Sequence, residues 1–241
     1  MKQLQQDDFF FKSIKVSEAE IVFSIKESIN SGGGKLVTYF NQNSFNEYHR
    51  NAKFRQALMG NFDVFSDGRG MSFALTILFG KKVEKFNATD LYFKLFNNFF
   101  SEKIPVYMIG GNFDINFLKE RSIKKMILVG YSNGYSETKD IDKLIEKIES
   151  SGSRIIGIGM GTPLQEVLAR EISLRLKNCI ILCVGNFFNF YLGETKNAPV
   201  IIRNSGLEWI YRLIREPRKL WKRYLIGIPL FIVRIFKYKF S

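Results

Sequence analysis

Short apolar runs alternate with helix-length amphipathic stretches along most of this chain. The runs are KLVTYFN (35–41), VYMIGG (106–111), MILVG (126–130), RIIGIGMG (154–161) and IILCVG (180–185). Each is a few residues long, is rich in aliphatic side chains and ends in glycine or a polar residue, which predicts buried strands. Between them, residues 43–59, 88–100, 139–150 and 163–177 have helical spacing. In 139–150, for instance, Ile141, Leu144, Ile145 and Ile148 fall on one face. Strands alternating with helices predict an α/β fold, a Rossmann-like parallel sheet with flanking helices. In such sheets ligands bind at the carboxyl ends of the strands, and the unusual residues of this chain fall there.

The segment GMGTPLQE (159–166) is one such place. Its glycines bring backbone close to whatever lies above the strand. Thr162 reads as an N-cap, Pro163 as the first helical residue, and Gln165 stands at the reciprocal capping-box position. Free N–H groups at this helix start would suit a phosphate; a well-capped turn with no ligand fits the same residues. The spacing is not G-x-G-x-x-G and no P-loop lysine follows, so dinucleotide and P-loop readings are weak. In FSDGRG (65–70), Asp67 follows the apolar run FDVF. Asp-Gly is first a turn signal; a carboxylate at a strand end is also a candidate general base. His49, the only histidine, lies in a helical stretch and reads as structural or surface. Cys179 and Cys183 flank a strand, match no common zinc spacing and read as buried thiols.

Composition changes this picture only near the end of the chain. The 241 residues suffice for a sizeable core, and the opening MKQLQQDDFFFKS has no long apolar stretch or small-residue cleavage site of a signal peptide. The net charge is +13, and it is uneven. Residues 203–241 hold ten Arg and Lys against two Glu, a net +8, which leaves +5 for the first 202. Charge of this kind seeks phosphate on nucleic acid, anionic lipid or a diphosphate substrate. Ser205 is a candidate cap for a helix carrying Leu207, Ile210, Tyr211 and Ile214. Pro217 interrupts and can open a second helix, with Leu220, Trp221, Tyr224 and Leu225 on one face. The apolar run IGIPLFIVRIF (226–236) that follows contains Pro229 and Arg234. It falls short of the roughly 20 apolar residues that span a bilayer and fits an interfacial segment better. Nucleic-acid binding and a solvated basic helix on the core are the competing readings of the tail.

The ordered motifs resemble the WecG/TagA/CpsF family of bacterial glycosyltransferases, from about Leu36 to about Pro229. GLEWIYRLIREPRKLWKRYL (206–225) is similar to the family's C-terminal Gly-Leu-Glu-Trp, Arg-Leu, Glu-Pro and Arg-rich pattern. GMGTPLQE resembles its Gly-x-Pro-Lys-Gln-Glu signature, FSDGRG its Asp-Gly motif, FNATDL (86–91) its Gly-x-Asp-Leu motif and NGYSE (133–137) its Gly-Tyr-Phe turn. CVGNFFNFYLGETKNAP (183–199) falls where the family has a Gly-Val-Gly run leading to Arg-Ala-Pro.

The resemblance implies an inverting, metal-independent transferase that needs no cofactor. It implies a UDP-sugar donor, of the N-acetylmannosamine type in many members, and a polyprenyl-diphosphate-linked saccharide as acceptor. The products are teichoic acid, common antigen, capsule or exopolysaccharide. Residues 1–202 would form the catalytic unit. Residues 203–241 would be a basic amphipathic helical segment that meets the anionic inner face of the cell membrane from the cytoplasm. No nucleic-acid partner is implied, and self-association into a homo-oligomer is. By resemblance, Asp67 is the base and Gln165 orients substrate. Thr38, Asn41, Lys85, Gly110, Gly111, Gly161, Arg212, Arg215, Arg218 and Arg223 are substrate-binding. The family threonine near Asn41 falls on Thr38 or on Tyr39, depending on the loop length. The chain departs from the pattern at Leu164, Lys85, Ala88, Asn186, Asn189 and Asn197, which implies a different donor sugar or weakened catalysis. A non-catalytic protein that binds lipid-linked intermediates at the membrane is the alternative.

Overall fold

The computed structural model describes residues 2–84, 86–196, 198–199, 202 and 208–240. Six strands form one sheet: β1 (Lys35–Phe40), β2 (Phe62–Ser66), β3 (Pro105–Gly110), β4 (Ile127–Ser132), β5 (Ile155–Gly159) and β6 (Ile180–Cys183). Their spatial order is β2-β1-β6-β5-β3-β4, and every pairing is parallel. The central strands are covered on both faces, which is why they read as unbroken apolar runs; all four residues of β6 are buried.

Ten helices surround the sheet: α1 (Lys2–Ser13), α2 (Glu18–Ser31), α3 (Gln42–Arg50), α4 (Ala52–Leu58), α5 (Gly68–Phe79), α6 (Ala88–Ser101), α7 (Ile115–Ser122), α8 (Ile141–Ser150), α9 (Leu164–Arg175) and α10 (Phe187–Tyr191). Helices α2, α6, α7 and α10 fill one face with an aromatic-rich cluster that includes Tyr92, Phe96, Phe187 and Phe188. Helices α8 and α9 fill the other through Leu144, Ile148, Leu168 and Ile172. Between α1 and α2, Lys15 closes the open edge of β2. Its N–H donates to Val64 (2.8 Å), its carbonyl accepts from Ser66 (3.0 Å), and its ammonium meets Asp63 at 2.7 Å.

The stretch 43–59, expected as one helix, is two. Asn51 caps the end of α3 and starts α4 by accepting from the Phe54 N–H at 3.1 Å. The expected start of α9 also shifts. Its N-cap falls on Pro163, and neither Thr162 nor Gln165 caps the helix. Both side chains are drawn instead to the buried carboxyl of Glu166.

The basic tail continues as α11 (Glu208–Arg215), α12 (Pro217–Trp221), a wide π-helical turn (Lys222–Ile226) and α13 (Gly227–Lys239). Pro217 opens α12 as expected, while Ser205 lies outside the described residues. The face expected to join Leu220, Trp221, Tyr224 and Leu225 is split. Leu220 and Tyr224 are buried, whereas Trp221 and Leu225 are exposed. The buried pair and the exposed pair are each four residues apart, so they are two adjoining rows of the helix.

The run 226–236 is exposed on one side and packed on the other. Phe231 and Ile235 of α13 enter the cluster formed by Phe10, Phe11, Phe45 and Met71. The Phe231 ring meets Phe45 edge-to-face at 5.2 Å. Arg234 donates to the Asn46 carbonyl (3.0 Å) and side-chain oxygen (2.9 Å), while the Asn46 amide donates to Gly227 O at 2.7 Å. Tyr238 donates to Asp8 of α1. Among the described residues no helix is long and apolar enough to cross a membrane. Phe231 is 3% exposed, so Phe231→Ala should cost about 3–5 kcal/mol of unfolding free energy in urea titration. A loss below about 1 kcal/mol would mean that α13 lends the core little.

Candidate active site

Asp67 stands at the carboxyl end of β2. Its N–H donates to the Phe40 carbonyl at the end of β1 (3.0 Å), which holds the two strand ends together. Its Oδ1 accepts from the Ala88 N–H (3.0 Å) at the start of α6, and its Oδ2 accepts from Asn41 Nδ2 (3.3 Å). The Asn41 amide is itself oriented, since its oxygen caps α3 by accepting from the N–H groups of Asn43 (3.0 Å) and Ser44 (3.2 Å). Asn41 therefore holds Asp67 as well as starting a helix. Gly68, at φ 80°, makes the turn that the Asp-Gly pair signals. The carboxylate is partly exposed, and each oxygen keeps a lone pair with which to take a proton.

Gln165 and Glu166 begin α9 and are both fully buried. Gln165 Oε1 accepts from the N–H groups of Gly161 (3.2 Å) and Gly185 (2.9 Å), clamping the loop after β5 to the loop after β6. The Gly161 N–H is therefore taken by a side chain. Glu166 Oε1 collects three donors: Thr38 Oγ1 (2.8 Å), Thr162 Oγ1 (2.9 Å) and Gln165 Nε2 (2.8 Å). Its Oε2 is buried without a partner. Burial raises the pKa of this carboxyl, and its three donors pull it back only in part.

Strand alternation decides between the two residues that precede the Asn41 loop. Thr38 points to the face with Glu166 and is fully buried, its hydroxyl committed there. Tyr39 points to the opposite face. Its phenol lies against Gly185, where a Cβ built on the glycine would come within 2.4 Å of it. Burial and then Glu166 push the phenol pKa up to about 12, with Arg223 lowering it and Asp67 raising it further.

A second part of the site lies between β3 and β5. Helix α7 leaves β3 toward one face of the sheet and α9 leaves β5 toward the other. The strand ends between them form the crevice where ligands bind in such folds. Gly110, at φ 121°, lies so close to β5 that a Cβ would sit 2.5 Å from the Gly159 carbonyl oxygen. Gly111 accepts from the Gly134 N–H of the NGYSE turn at 3.2 Å. The crevice floor is bare backbone, as a closely approaching ligand requires.

The tail crosses this edge. Arg212 of α11 lies over the Phe190 ring (6.0 Å) and Arg215 over Tyr211 (5.2 Å), while Arg218 is exposed on α12. Arg223 alone among these acts electrostatically on Tyr39, and its Nε is buried without an acceptor. Of the expected residues, Asp67 and Asn41 meet directly, and Thr38 and Gln165 meet on the Glu166 carboxyl. Lys85 lies outside the described residues. His49 packs between the Phe11 and Phe45 rings away from the site, where burial and Arg234 lower its pKa. Sequence reasoning gave Glu166 no role and left Tyr39 undecided. The two-residue period of β1 was the signal available for Tyr39, and an acidic residue in the first turn of a helix packed on the sheet was the one for Glu166. Among the described residues no three His, Cys, Asp or Glu side chains converge to hold a metal ion.

A parallel α/β sheet with a carboxylate and a glycine-lined crevice at its strand ends has the architecture of a ligand-binding α/β enzyme. A family model described as glycosyl transferase WecG/TagA/CpsF matches residues 10–241, nearly the whole chain. The chain belongs to this family. It is a glycosyltransferase of cell-surface polysaccharide synthesis, and its partners are a nucleotide sugar and a glycan acceptor.

The raised pKa of Glu166 has a measurable consequence. A carboxyl that holds its proton more tightly when folded stabilises the fold below its unfolded pKa, ordinarily 4.5. That contribution is lost as pH rises through the folded value. Glu166→Gln keeps an oxygen for Thr38, Thr162 and Gln165 but does not titrate. The melting temperature of the variant relative to the parent should therefore rise between about pH 4.5 and pH 8. A pH-independent difference would show that Glu166 does not change charge in this range.

Proposed function

We propose that this chain is an inverting, metal-independent glycosyltransferase. It moves a sugar of the N-acetylhexosamine class, such as an N-acetylmannosamine type, from UDP to a polyprenyl-diphosphate-linked saccharide. The observation that carries this reading is the Asp67 carboxylate, held by Asn41 and the Ala88 N–H at the carboxyl ends of β1 and β2. In the proposed step Asp67 takes the proton of an acceptor hydroxyl as its oxygen attacks the anomeric carbon. The bond from that carbon to the diphosphate oxygen breaks on the opposite face, so the configuration inverts. Arg223 balances the charge that gathers on the departing diphosphate. Gln165 acts by fixing the Gly161 and Gly185 loops around the donor, and the glycines at 110 and 111 admit it closely.

A nucleotide-release assay tests this, with detergent-dispersed polyprenyl-diphosphate saccharides and a panel of UDP-sugars. Acceptor-dependent release should fall by about a hundredfold or more in Asp67→Ala, the usual scale for losing a positioned base. Equal rates in parent and variant would remove Asp67 from the chemistry. Silence of the folded parent across all donors would favour a protein that only binds lipid-linked intermediates.

The outer side of the tail supports a membrane-facing role for residues 203–241, beside a catalytic unit in 1–202. Leu225, Ile226, Leu230, Ile232, Val233, Phe236 and Phe240 are all exposed, and Lys222, Lys237 and Lys239 lie among them. Apolar side chains that dip below the headgroups, with cations at their level, suit the anionic inner face of a bacterial membrane. Deleting the tail would also remove Phe231 and Ile235 from the core, so point changes are the cleaner test. Val233→Asp with Phe236→Glu should lower binding to anionic vesicles about tenfold or more, given ~1.5–3 kcal/mol per buried apolar side chain. The melting temperature should hold. Unchanged co-sedimentation would place the membrane contact elsewhere.

A further inference from the structure

Helix α5 begins at the proposed base, since Asp67 is its N-cap residue. It lies along α13, and the contacts run in the same order on both helices. Near the start of α5, a Cβ built on Gly70 would sit 3.6 Å from the Phe231 ring; at its end, the Phe79 ring meets Tyr238 at 6.4 Å. Gly70, Phe73 and Ile77 have helical spacing and share one flank of α5, and the Gly70 contact shows that this flank is turned to α13. Ile77 packs against the cluster that contains Phe231 and Ile235. Phe73 does not, and it is 56% exposed. On α13, Arg234 and Gly227 are held by Asn46 of α3. Ile232 and Phe236 lie on the flank away from Arg234, at about 3.6 residues per turn, and both are exposed. Phe73 therefore continues the outer apolar side of α13 onto α5.

The chemistry of α5 selects what covers this ring. Neither α5 nor α13 contains an acidic residue, and Arg69, Lys237 and Lys239 are exposed cations on them. The hydroxyls beside Phe73 are satisfied by the helix itself. Ser72 Oγ donates to the Gly68 carbonyl (3.3 Å) and Thr76 Oγ1 to the Ser72 carbonyl (3.0 Å). Apolar surroundings therefore strand no polar side chain there. Phe23 and Phe9 are more exposed still, but their settings differ. Phe23 lies on α2 with Glu18, Glu20 and Glu27, and Phe9 follows the half-exposed Asp8. An anionic surface is repelled from those two rings and attracted to α5.

We infer that α5 is a second element of the membrane contact: its Phe73 flank enters the headgroup region of an anionic bilayer beside α13. This rests on the reading given above that the outer side of α13 meets lipid. Phe73 lies six residues along the helix from Asp67, a distance of about 9 Å. The base thus stands at the end of an element that itself rests on the bilayer. Its height above the lipid is set by α5 as well as by the tail.

Co-sedimentation of the full chain with vesicles of phosphatidylglycerol and phosphatidylethanolamine tests this. Phe73→Ser should weaken binding about tenfold, the scale of losing one buried aromatic side chain, with the melting temperature unchanged. Phe73→Trp should bind at least as well as the parent, because indole favours the membrane interface. Phe23→Ser should bind like the parent. Parent-like binding by Phe73→Ser overturns the α5 contact; loss of binding in Val233→Asp with Phe236→Glu then leaves the tail reading intact. Equal losses in Phe73→Ser and Phe73→Trp overturn it too, by showing that the ring serves the fold. An equal loss in Phe23→Ser marks unspecific adhesion and has the same consequence. A folded parent that stays in the supernatant overturns both the contact and the reading on which it rests.

Discussion

A carboxyl group lies at the centre of this molecule with no cation beside it, and much of the site follows from that. Glu166 is fully buried, so its oxygens must be served by hydroxyl and amide donors. Three arrive from three places: Thr38 from strand β1, Thr162 from the loop after β5, and Gln165 from α9. Serving Glu166 turns Gln165 so that its oxygen faces two glycine N–H groups, which fastens the loop after β6 to the loop after β5. A cheaper core would place leucine at 166. Leucine would pack, but it would leave Thr38 and Thr162 without an acceptor and the Gln165 amide free to flip.

The tail is held by a comparable constraint. Helix α13 is apolar nearly all round, which in a long helix would signal a membrane span. Here two sides have two uses. Phe231 and Ile235 complete an aromatic cluster that already contains Phe10, Phe11, Phe45 and Tyr48, and Arg234 with Asn46 fixes the register of the docking. The opposite side stays exposed. The N-terminal helix shares in this, because Tyr238 reaches back to Asp8. Both ends of the chain thus meet in one cluster beside β2.

The sheet was legible because parallel strands covered on both faces leave unbroken aliphatic runs, and such runs ended in the glycines that now line the crevice. Asp67 and Asn41 were legible for a similar reason: each sits where a strand stops and a helix starts, and such residues stand out from apolar surroundings. Helix α1 was not legible, since its three consecutive phenylalanines show no helical period. Phe10 and Phe11 are buried while Phe9 is exposed, a division that depends on what packs against them. The choice between Thr38 and Tyr39 turned on strand phase, which one-residue uncertainty in a loop reverses. Among the tail arginines, composition could not separate Arg223 from Arg212, Arg215 and Arg218. What separates them is burial: the Arg223 Nε is buried and lacks an acceptor, whereas Arg215 and Arg218 are exposed.

The tail presents two surfaces. The Arg223 Nε is buried, whereas Leu225 and Ile226, two and three residues on, are exposed. Adjacent turns of one short segment thus face the protein interior and the proposed membrane surface. A lipid-linked acceptor carries its diphosphate at the headgroup level, a few ångströms above the acyl chains. If the outer side of α13 lies on the bilayer, an acceptor diphosphate and the strand-end site stand at nearly the same depth. The sugar to be modified then reaches Asp67 without the lipid leaving the membrane. Leu220 and Tyr224 are buried while Trp221 and Leu225, on the adjoining row, stay exposed, so one short segment presents both a packing side and an outer side.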